Sequence, residues 1–203
     1  TIVLLDGGTH IVTATQTLDI AGVTVIGAHD YYGNLNGMPP VALSIRDTSD
    51  ELLDIRASNV EVGYLRLVGE GGTSLVSFQT ANALDNIRLH DLFIDMRYND
   101  APTRDSRGID FANRRGGTGT TRMGTSISST ATAYLENITF WSNGANGEAL
   151  LLATCTVAMK NLRFHNDAGT WATPMAVATS VDQSYGDNLV FTSSGTMTVC
   201  VSG

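Results

Sequence analysis

The chain has 203 residues, of which 42% are hydrophobic and 16% are charged, with 21 glycines and 4 prolines. This length suits one domain with a substantial core, and a composition rich in Thr, Ser and Gly favours strands and tight corners over helices. The formal net charge of −8 disfavours nucleic acid and anionic membranes as partners, because both attract basic surfaces. There is no run of about 18 apolar residues, so no membrane insertion is expected.

In chain order, the first predicted element is the apolar, strand-like opening Thr1-Ile2-Val3-Leu4-Leu5-Asp6-Gly7-Gly8-Thr9-His10. A repeat then follows, formed by an asparagine, an aliphatic residue, any residue, and an aliphatic or aromatic residue. Its five copies are Asn59-Val60-Glu61-Val62, Asn86-Ile87-Arg88-Leu89, Asn137-Ile138-Thr139-Phe140, Asn161-Leu162-Arg163-Phe164 and Asn188-Leu189-Val190-Phe191. An earlier copy, Gly22-Val23-Thr24-Val25, has glycine in place of the asparagine. The asparagines are 27, 51, 24 and 27 residues apart, so the second interval contains a long insertion.

The residue that opens each repeat predicts a sharp corner. Asn and Gly enter the left-handed backbone region at the lowest cost, and the alternating residues after them are typical of a strand with one buried face. We therefore expect the five asparagines to lie in one column at one corner, where their side chains form a hydrogen-bonded ladder.

A second alternating strand is predicted in most intervals. These strands are Leu53-Asp54-Ile55, Val76-Ser77-Phe78, Ile109-Asp110-Phe111, Leu150-Leu151-Leu152, Met175-Ala176-Val177 and Val199-Cys200-Val201. Three short strands and three corners close one coil, and stacked coils bury a continuous apolar column. The prediction is an all-β, single-stranded, right-handed parallel β-helix of about seven coils with three short sheets. A Greek-key sandwich and a jelly roll are the alternatives, but neither repeats one residue type at one corner five times.

The domain prediction is a single unit over residues 1–203. The stretch from about 114 to 129 is rich in Gly, Thr and Ser and shows no alternation, so it is expected to leave the coil as a loop. An arginine cluster lies in and before this stretch, and a solvated loop is its simplest interpretation. Its members are Arg104, Arg107, Arg114, Arg115 and Arg122.

The corner asparagines, the coil length and the opening segment resemble the pectate-lyase-like superfamily of right-handed β-helices. The resemblance covers nearly the whole chain and implies the architecture rather than one function, because the superfamily includes lyases, hydrolases, epimerases, phage tailspikes and passive structural proteins. It also implies that any chemistry lies on the outer face of the first sheet, which the Leu53-Asp54-Ile55 type of strand would form.

The outward residues of that first sheet form the candidate site. They are expected to be Asp54, Ser77, Asp110, Leu151, Ala176 and Cys200. Asp54 and Asp110 would lie two coil steps apart, about 9.6 Å, near the upper end of the roughly 6.5–9.5 Å that separates the carboxylates of an inverting glycosidase. Arg56 and Arg107 could orient an acidic sugar between them. The competing interpretation is an exposed strand with ordinary Asp–Arg surface pairs.

Other features favour assembly over catalysis. Leu151 and Ala176 would point outward, and apolar residues on a flat sheet need a covering loop or a partner subunit. Strand-like sequence also reaches both ends of the chain, so we expect either that the chain is a segment of something longer or that other proteins cover its ends. No adjacent Asp-Asp pair, Gly-His-Gly or acidic triplet is present, so no metal or other cofactor is expected. Cys155 and Cys200 are expected to be reduced, buried thiols.

These observations favour a non-enzymatic structural or adhesive β-helix of a virion, of the bacteriophage decoration or tailspike kind. Such a protein would lie on the virion surface and associate with itself, as a homotrimer, or with a larger particle. One alternative is a polysaccharide lyase or glycoside hydrolase acting in the first-sheet groove. Another is a secreted or cell-surface carbohydrate-binding module, for which a glycan would be the partner.

Overall fold

The computed structural model describes residues 1–28, 38–46, 51–69, 74–78, 84–97, 107–111, 132–143, 148–152, 156–171, 174–177 and 185–197. In these ranges the chain forms strands and no helix. The strands are β1 (Ile2–Leu5), β2 (Gly8–Val12), β3 (Gln16–Leu18), β4 (Thr24–Gly27), β5 (Val41–Ile45), β6 (Leu53–Ile55), β7 (Glu61–Gly69), β8 (Ser74–Ser77), β9 (Ile87–Asp95), β10 (Arg107–Asp110), β11 (Thr132–Ser142), β12 (Leu150–Leu152), β13 (Thr156–Asn166), β14 (Thr170–Trp171), β15 (Met175–Val177), β16 (Tyr185–Ser193) and β17 (Thr196–Met197).

Every strand pairing in this part of the chain is parallel. Sheet A has nine strands and follows the order β1-β4-β7-β9-β11-β13-β16, with β5 and then β2 joined to β7. Sheet B has six strands in the order β15-β12-β10-β8-β6-β3, and sheet C pairs β14 with β17. From β6 to β13 the chain alternates between sheets B and A, so each return adds a strand beside the previous one. None of the sheets closes into a barrel.

The hydrophobic core is built from alternate residues of sheets A and B. Its aromatic side chains stack from one strand to the next: Phe78 on Phe111 at 4.6 Å between ring centroids, and Phe140 on Phe164 at 5.0 Å. Phe191 continues the second stack at 4.7 Å from Phe164. Each fully buried side chain of this size contributes about 1.5–3 kcal/mol by leaving water, so the stacks fix which residues face inward.

The sequence predicted that all three sheets would be built from short strands, and this was wrong for sheet A. Sheet A contains strands of 9 to 11 residues, and three of them, β11, β13 and β16, continue through a predicted asparagine corner and pair on both sides of it. The reason is that one residue with positive φ turns the chain while the residues on both sides continue to pair with their neighbours. Asn137, for example, has φ 56° inside β11, and β11 pairs with β13 both before and after it.

The prediction that all five asparagines share one column was also wrong. The first column contains Gly22, Asn59 and Asn86, and Asn86 Nδ2 donates to Asn59 Oδ1 at 3.0 Å. A second column contains Asn137, Asn161 and Asn188, joined by Nδ2-to-Oδ1 bonds of 2.9 and 2.8 Å. We call these columns ladder one and ladder two.

The two ladders are separate because the register changes between β9 and β11. Ile87 follows Asn86 and pairs with Ala133. The equivalent residue of the next repeat, Ile138, lies five residues beyond Ala133. Asn137 therefore lies opposite Asp91, whose φ is 52° and whose Oδ1 accepts from Asn137 Nδ2 at 3.1 Å. Each repeat thus forms a left-handed corner as expected, but the two groups of repeats occupy different corners.

Candidate functional site

Sheet B brings the predicted site residues into one column. Asp54 pairs with Ser77, and Ser77 pairs with Asp110. Leu151 follows Asp110 in the register, and Ala176 follows Leu151. The strand order predicted for this face is therefore confirmed for these five positions. Cys200, the sixth expected member, lies outside the described residues, as do the side chains of Leu151 and Ala176.

The acidic part of this column is buried rather than exposed, which corrects the expectation of an outward groove. Asp54 and Asp110 are both 0% exposed, and Ser77 between them is 3% exposed. They alternate with Leu53, Ile55, Val76 and Ile109, which belong to the hydrophobic core. The carboxylates therefore lie on the opposite face of sheet B from the core, and at Asp54, Ser77 and Asp110 that face is also shielded from water.

Each of the two carboxylates is paired with an arginine from its own strand or the residue after it. Arg56 Nε lies 2.5 Å from Asp54 Oδ2. Arg107 Nη1 lies 3.4 Å from Asp110 Oδ2, and Arg107 Nε donates to Glu148 Oε2 at 2.8 Å. A general acid or base has to lie within hydrogen-bonding distance of its substrate. In this arrangement both carboxylates contact guanidinium groups and neither is accessible to solvent.

Two buried hydroxyl groups of β8 lie in and beside this column. Among the described residues, Ser77 Oγ and Ser74 Oγ have no hydrogen-bond partner. A buried polar atom without a partner costs about 1–3 kcal/mol relative to a satisfied one. Ser77 separates Asp54 from Asp110 by one strand on each side, so the two carboxylates lie about two strand spacings, or roughly 9.6 Å, apart along the sheet.

A second polar cluster lies on sheet A and was not predicted from the sequence. Its centre is Asp95, which is 0% exposed. Arg66 Nη2 donates to Asp95 Oδ2 at 2.6 Å, and Arg97 donates to both carboxylate oxygens, from Nε at 2.9 Å and from Nη2 at 2.8 Å. Burial raises the pKa of Asp95, but the hydrogen bonds and positive charges of Arg97 and Arg66 outweigh it and hold the pKa below its ordinary value of 3.8.

Aromatic side chains extend this cluster along the sheet. The register places Asp95, Trp141, His165 and Thr192 in one row. The Arg97 guanidinium lies 4.8 Å from the centre of the Trp141 ring, within the range of a cation–π contact, and His165 meets the same ring at 4.6 Å between centroids. Trp141 Nε1 and His165 Nε2 both contact the carboxylate of Asp167, at 2.5 and 3.1 Å.

Sequence reasoning missed the Asp95 cluster because its members come from different repeats. The Asp95–Arg97 spacing places both side chains on one face of a strand, which was a usable signal. Arg66 joins them only through the pairing of β7 with β9, which the sequence does not specify. His90 and His165 each lie four residues after a repeat asparagine, yet they do not occupy equivalent positions. His165 pairs with Trp141, whereas His90 pairs with Glu136, since the register changes after β9.

Of the predicted arginine cluster, Arg107 is the one member that the structure describes, and it is 3% exposed. Arg104, Arg114, Arg115 and Arg122 lie outside the described residues, as does the expected loop at 114–129. Within the described ranges, no three His, Cys, Asp or Glu side chains are grouped so that they could hold a metal ion. The same ranges contain no helix long and apolar enough to cross a membrane.

Comparison with known proteins gives no relative from which a function could be transferred. No protein-family model matches the chain, and no curated protein and no solved structure matches it with statistical significance.

Proposed function

We propose that the chain is a single-stranded right-handed parallel β-helix of the pectate-lyase-like type, and that it serves as a non-enzymatic structural or adhesive component of a virion surface. Bacteriophage decoration proteins and tailspikes are the class it would resemble. The link to virions is an analogy at the level of the fold. The parallel strands, the alternation between sheets A and B, and the asparagine ladders support the architecture.

The non-enzymatic proposal rests on one observation, which is that the carboxylates of the sheet B column are buried and paired. A glycosidase or lyase needs carboxylates that contact the sugar, with one of them able to exchange a proton. Asp54 and Asp110 are fully buried and paired with Arg56 and Arg107. Carboxylates buried and paired in this way are shielded from a substrate, which favours a role in stability over a role in chemistry.

Exposed apolar side chains support a role in assembly. Ile2, Val3, Ile11 and Ile20 are 77%, 40%, 48% and 63% exposed. They lie on or beside β1, β2 and β3, each of which pairs on one side only within the described part of the chain. Exposed apolar residues on unpaired strand edges favour association with other strands. We further propose that the row containing Leu151 and Ala176 contributes to a self-association interface, of the homotrimer kind.

The assembly proposal can be tested by placing a charge in that row. Leu151→Asp should prevent association, because an unpaired carboxylate at a contact costs several kcal/mol. The matched control is Tyr134→Asp on sheet A, where the side chain is 44% exposed and beside Arg88 in the register. Light scattering coupled to gel filtration should give a mass above the monomer for the wild type and the control, and a folded monomer for Leu151→Asp. A wild-type chain that stays monomeric at all concentrations would contradict this proposal.

The glycan-cleaving alternative rests on one observation, the in-register alignment of Asp54 and Asp110 with arginines beside them. It requires the face of sheet B to open toward a polysaccharide. Incubation with acidic and neutral polysaccharides, followed by assays for new reducing ends and for unsaturated products, should show no cleavage. Cleavage that disappears in Asp110→Asn and in Asp54→Asn would replace the structural proposal with the enzymatic one. Retention of the chain on a glycan column without cleavage would favour an adhesive or carbohydrate-binding role.

A further inference from the structure

Arg163, in β13, is an exposed cation on the outer face of sheet A. Among the arginines that the structure describes, it is the one with no hydrogen bond, ion pair or ring contact. Five of the others bind carboxylates of this chain: Arg56, Arg66, Arg88, Arg97 and Arg107. In a chain with a formal net charge of −8, the guanidinium of Arg163 therefore keeps its N–H donors available for another molecule.

The register surrounds Arg163 with a block of outward-facing side chains. Thr139 of β11 and Val190 of β16 lie on either side of it in one row. The next row, two residues further along the strands, is Trp141, His165 and Thr192. We call these six residues the Arg163 block, and none of them belongs to the hydrophobic core. Neighbouring strands are about 4.8 Å apart and two residues span about 6.6 Å, so the block measures roughly 9.6 by 6.6 Å.

The second row of the block is held in place by hydrogen bonds at the surface. His165 Nδ1 lies 2.7 Å from Thr192 Oγ1, and its Nε2 lies 3.1 Å from Asp167 Oδ1. Trp141 Nε1 donates to the other oxygen of Asp167. The His165 and Asp167 side chains are still 30% and 40% exposed. Exposed pairs of this kind contribute little to stability, and the stacked phenylalanines beneath already hold these strands together. Side chains that are already ordered reduce the entropy cost of binding a ligand.

The size of the block favours a small ligand over a protein surface. A stable protein interface buries roughly 800 Å² on each partner, whereas the block covers about 60 Å². The guanidinium of Arg163 matches a carboxylate, because its planar fork donates two parallel hydrogen bonds. The hydroxyls of Thr139 and Thr192 can each donate and accept, as the hydroxyls of a sugar do. Val190 and the half-buried Trp141 add apolar contact area.

We propose that the Arg163 block binds an acidic saccharide, with the carboxylate on Arg163 and the sugar hydroxyls on Thr139 and Thr192. A carboxylate, hydroxyls and the apolar face of a ring occur together in such a sugar, so each part of the block has a counterpart. The site lies on sheet A, away from the sheet B column that the glycan-cleaving alternative would use. The inference rests on the adhesive part of the proposed function, to which it adds a ligand class.

An array of uronate- and sialate-bearing glycans, printed beside the methyl esters of the same glycans, tests this site. The wild-type chain should bind at least one acidic glycan and should bind its ester about tenfold more weakly or less, because the ester has lost the charge. Arg163→Gln should lose about tenfold or more in affinity, and Arg163→Lys should recover only part of it, since an ammonium lacks the planar fork. The matched control is Arg88→Gln, which removes an exposed arginine bound to Glu61 on the same sheet and should leave binding unchanged.

The two tryptophans of the chain report where the ligand binds. Trp141 belongs to the block, whereas Trp171 is 0% exposed in the core. On titration with the acidic glycan that binds, the indole N–H resonance of Trp141 should shift and that of Trp171 should stay in place. A shift at Trp171 alone would contradict the location. Because Arg163 is exposed and makes no contact, Arg163→Gln should unfold in urea at the wild-type midpoint.

Three outcomes would overturn the proposal: no binding of any acidic glycan, full affinity in Arg163→Gln, or equal affinity for poly-glutamate. The last would show that the site binds carboxylates whether or not a sugar carries them. Self-association is measured separately, as a molecular mass. An assembled wild-type chain that binds no acidic glycan would overturn the saccharide site alone, and a monomeric chain that binds one would overturn the assembly proposal alone.

Discussion

Asp54 on sheet B and Asp95 on sheet A are both fully buried acids bound by arginine, but they connect the molecule differently. Asp54 pairs with Arg56, two residues later, whose side chain is 43% exposed. Asp95 pairs with Arg97, also two residues later, and with Arg66 on the neighbouring strand, and both arginines are 26% exposed. The Asp54–Arg56 contact is local to one strand, whereas the Asp95–Arg66 contact links β7 to β9. A buried acid stabilises the stacking of strands when its partner comes from another strand.

The largest expected effect is the loss of the Asp95 charge. Asp95→Asn keeps the shape of the side chain but leaves Arg66 and Arg97 without their shared counter-ion, so the free energy of unfolding should fall by about 3 kcal/mol, the lower end for breaking a buried pair. The matched variant Asp54→Asn should cost less, because water can hydrate the 43% exposed Arg56 side chain once its charged partner is gone. Urea unfolding of both variants at neutral pH measures the difference. Equal losses would show that the cross-strand arginine adds nothing.

A smaller effect should appear in acid. Because the pKa of Asp95 is lowered in the folded chain, its contribution to stability is complete above its ordinary value of 3.8 and is lost as the pH falls through the lowered value. Wild type should therefore lose stability below about pH 4 more steeply than Asp95→Asn. Thermal unfolding of the two chains over this range gives the measurement. Parallel curves would indicate that Asp95 titrates in the folded chain as it does in the unfolded chain.

The smallest effect concerns the centre of the sheet B column. Ser77→Ala removes a buried hydroxyl that has no hydrogen-bond partner. We expect the free energy of unfolding to stay the same or to rise by up to about 1 kcal/mol. A matched change at Ser193, whose Oγ accepts from Asn166 Nδ2 and from the backbone of Gly195, should instead destabilise the chain. A clear loss in Ser77→Ala would indicate that an ordered water or another group satisfies this hydroxyl.

Much of the local structure could be predicted from the sequence. The alternation of Leu53, Asp54 and Ile55 indicated which side chains face the core, and the structure confirms it. The asparagines marked left-handed corners, and all five have φ between 54° and 59°. These features depend on a few adjacent residues, so a short sequence window contains the information that specifies them.

The register between repeats could not be predicted in the same way. Asn86 and Asn137 open repeats of the same pattern, yet they lie in different ladders, because β11 begins five residues before Asn137, and its Ala133 pairs with Ile87 of β9. Asp91 and Tyr64 take the left-handed conformation at the same corner as ladder two, in register with Asn137, without resembling the asparagine pattern. The choice between the two registers depends on packing between strands more than 40 residues apart, which no local pattern contains.

For the candidate site too, local features could be predicted from the sequence and long-range features could not. The order of Asp54, Ser77 and Asp110 along sheet B followed from alternation and repeat spacing. Their burial did not follow, because it depends on what covers the outer face of the sheet. For the same reason the sequence suggested a groove, while the structure shows paired and enclosed carboxylates.

Ladder two also shows that the height of the stack does not depend on the number of residues in each repeat. Asn161 follows Asn137 by 24 residues and Asn188 follows Asn161 by 27, yet the two ladder bonds are 2.9 and 2.8 Å. Three additional residues therefore do not change the step, which is about 4.8 Å for neighbouring strands. Whole repeats act as modules of fixed height and variable content. Duplication of one such module would lengthen the stack by a single step, while insertions between the ladder positions would change its width and surface alone.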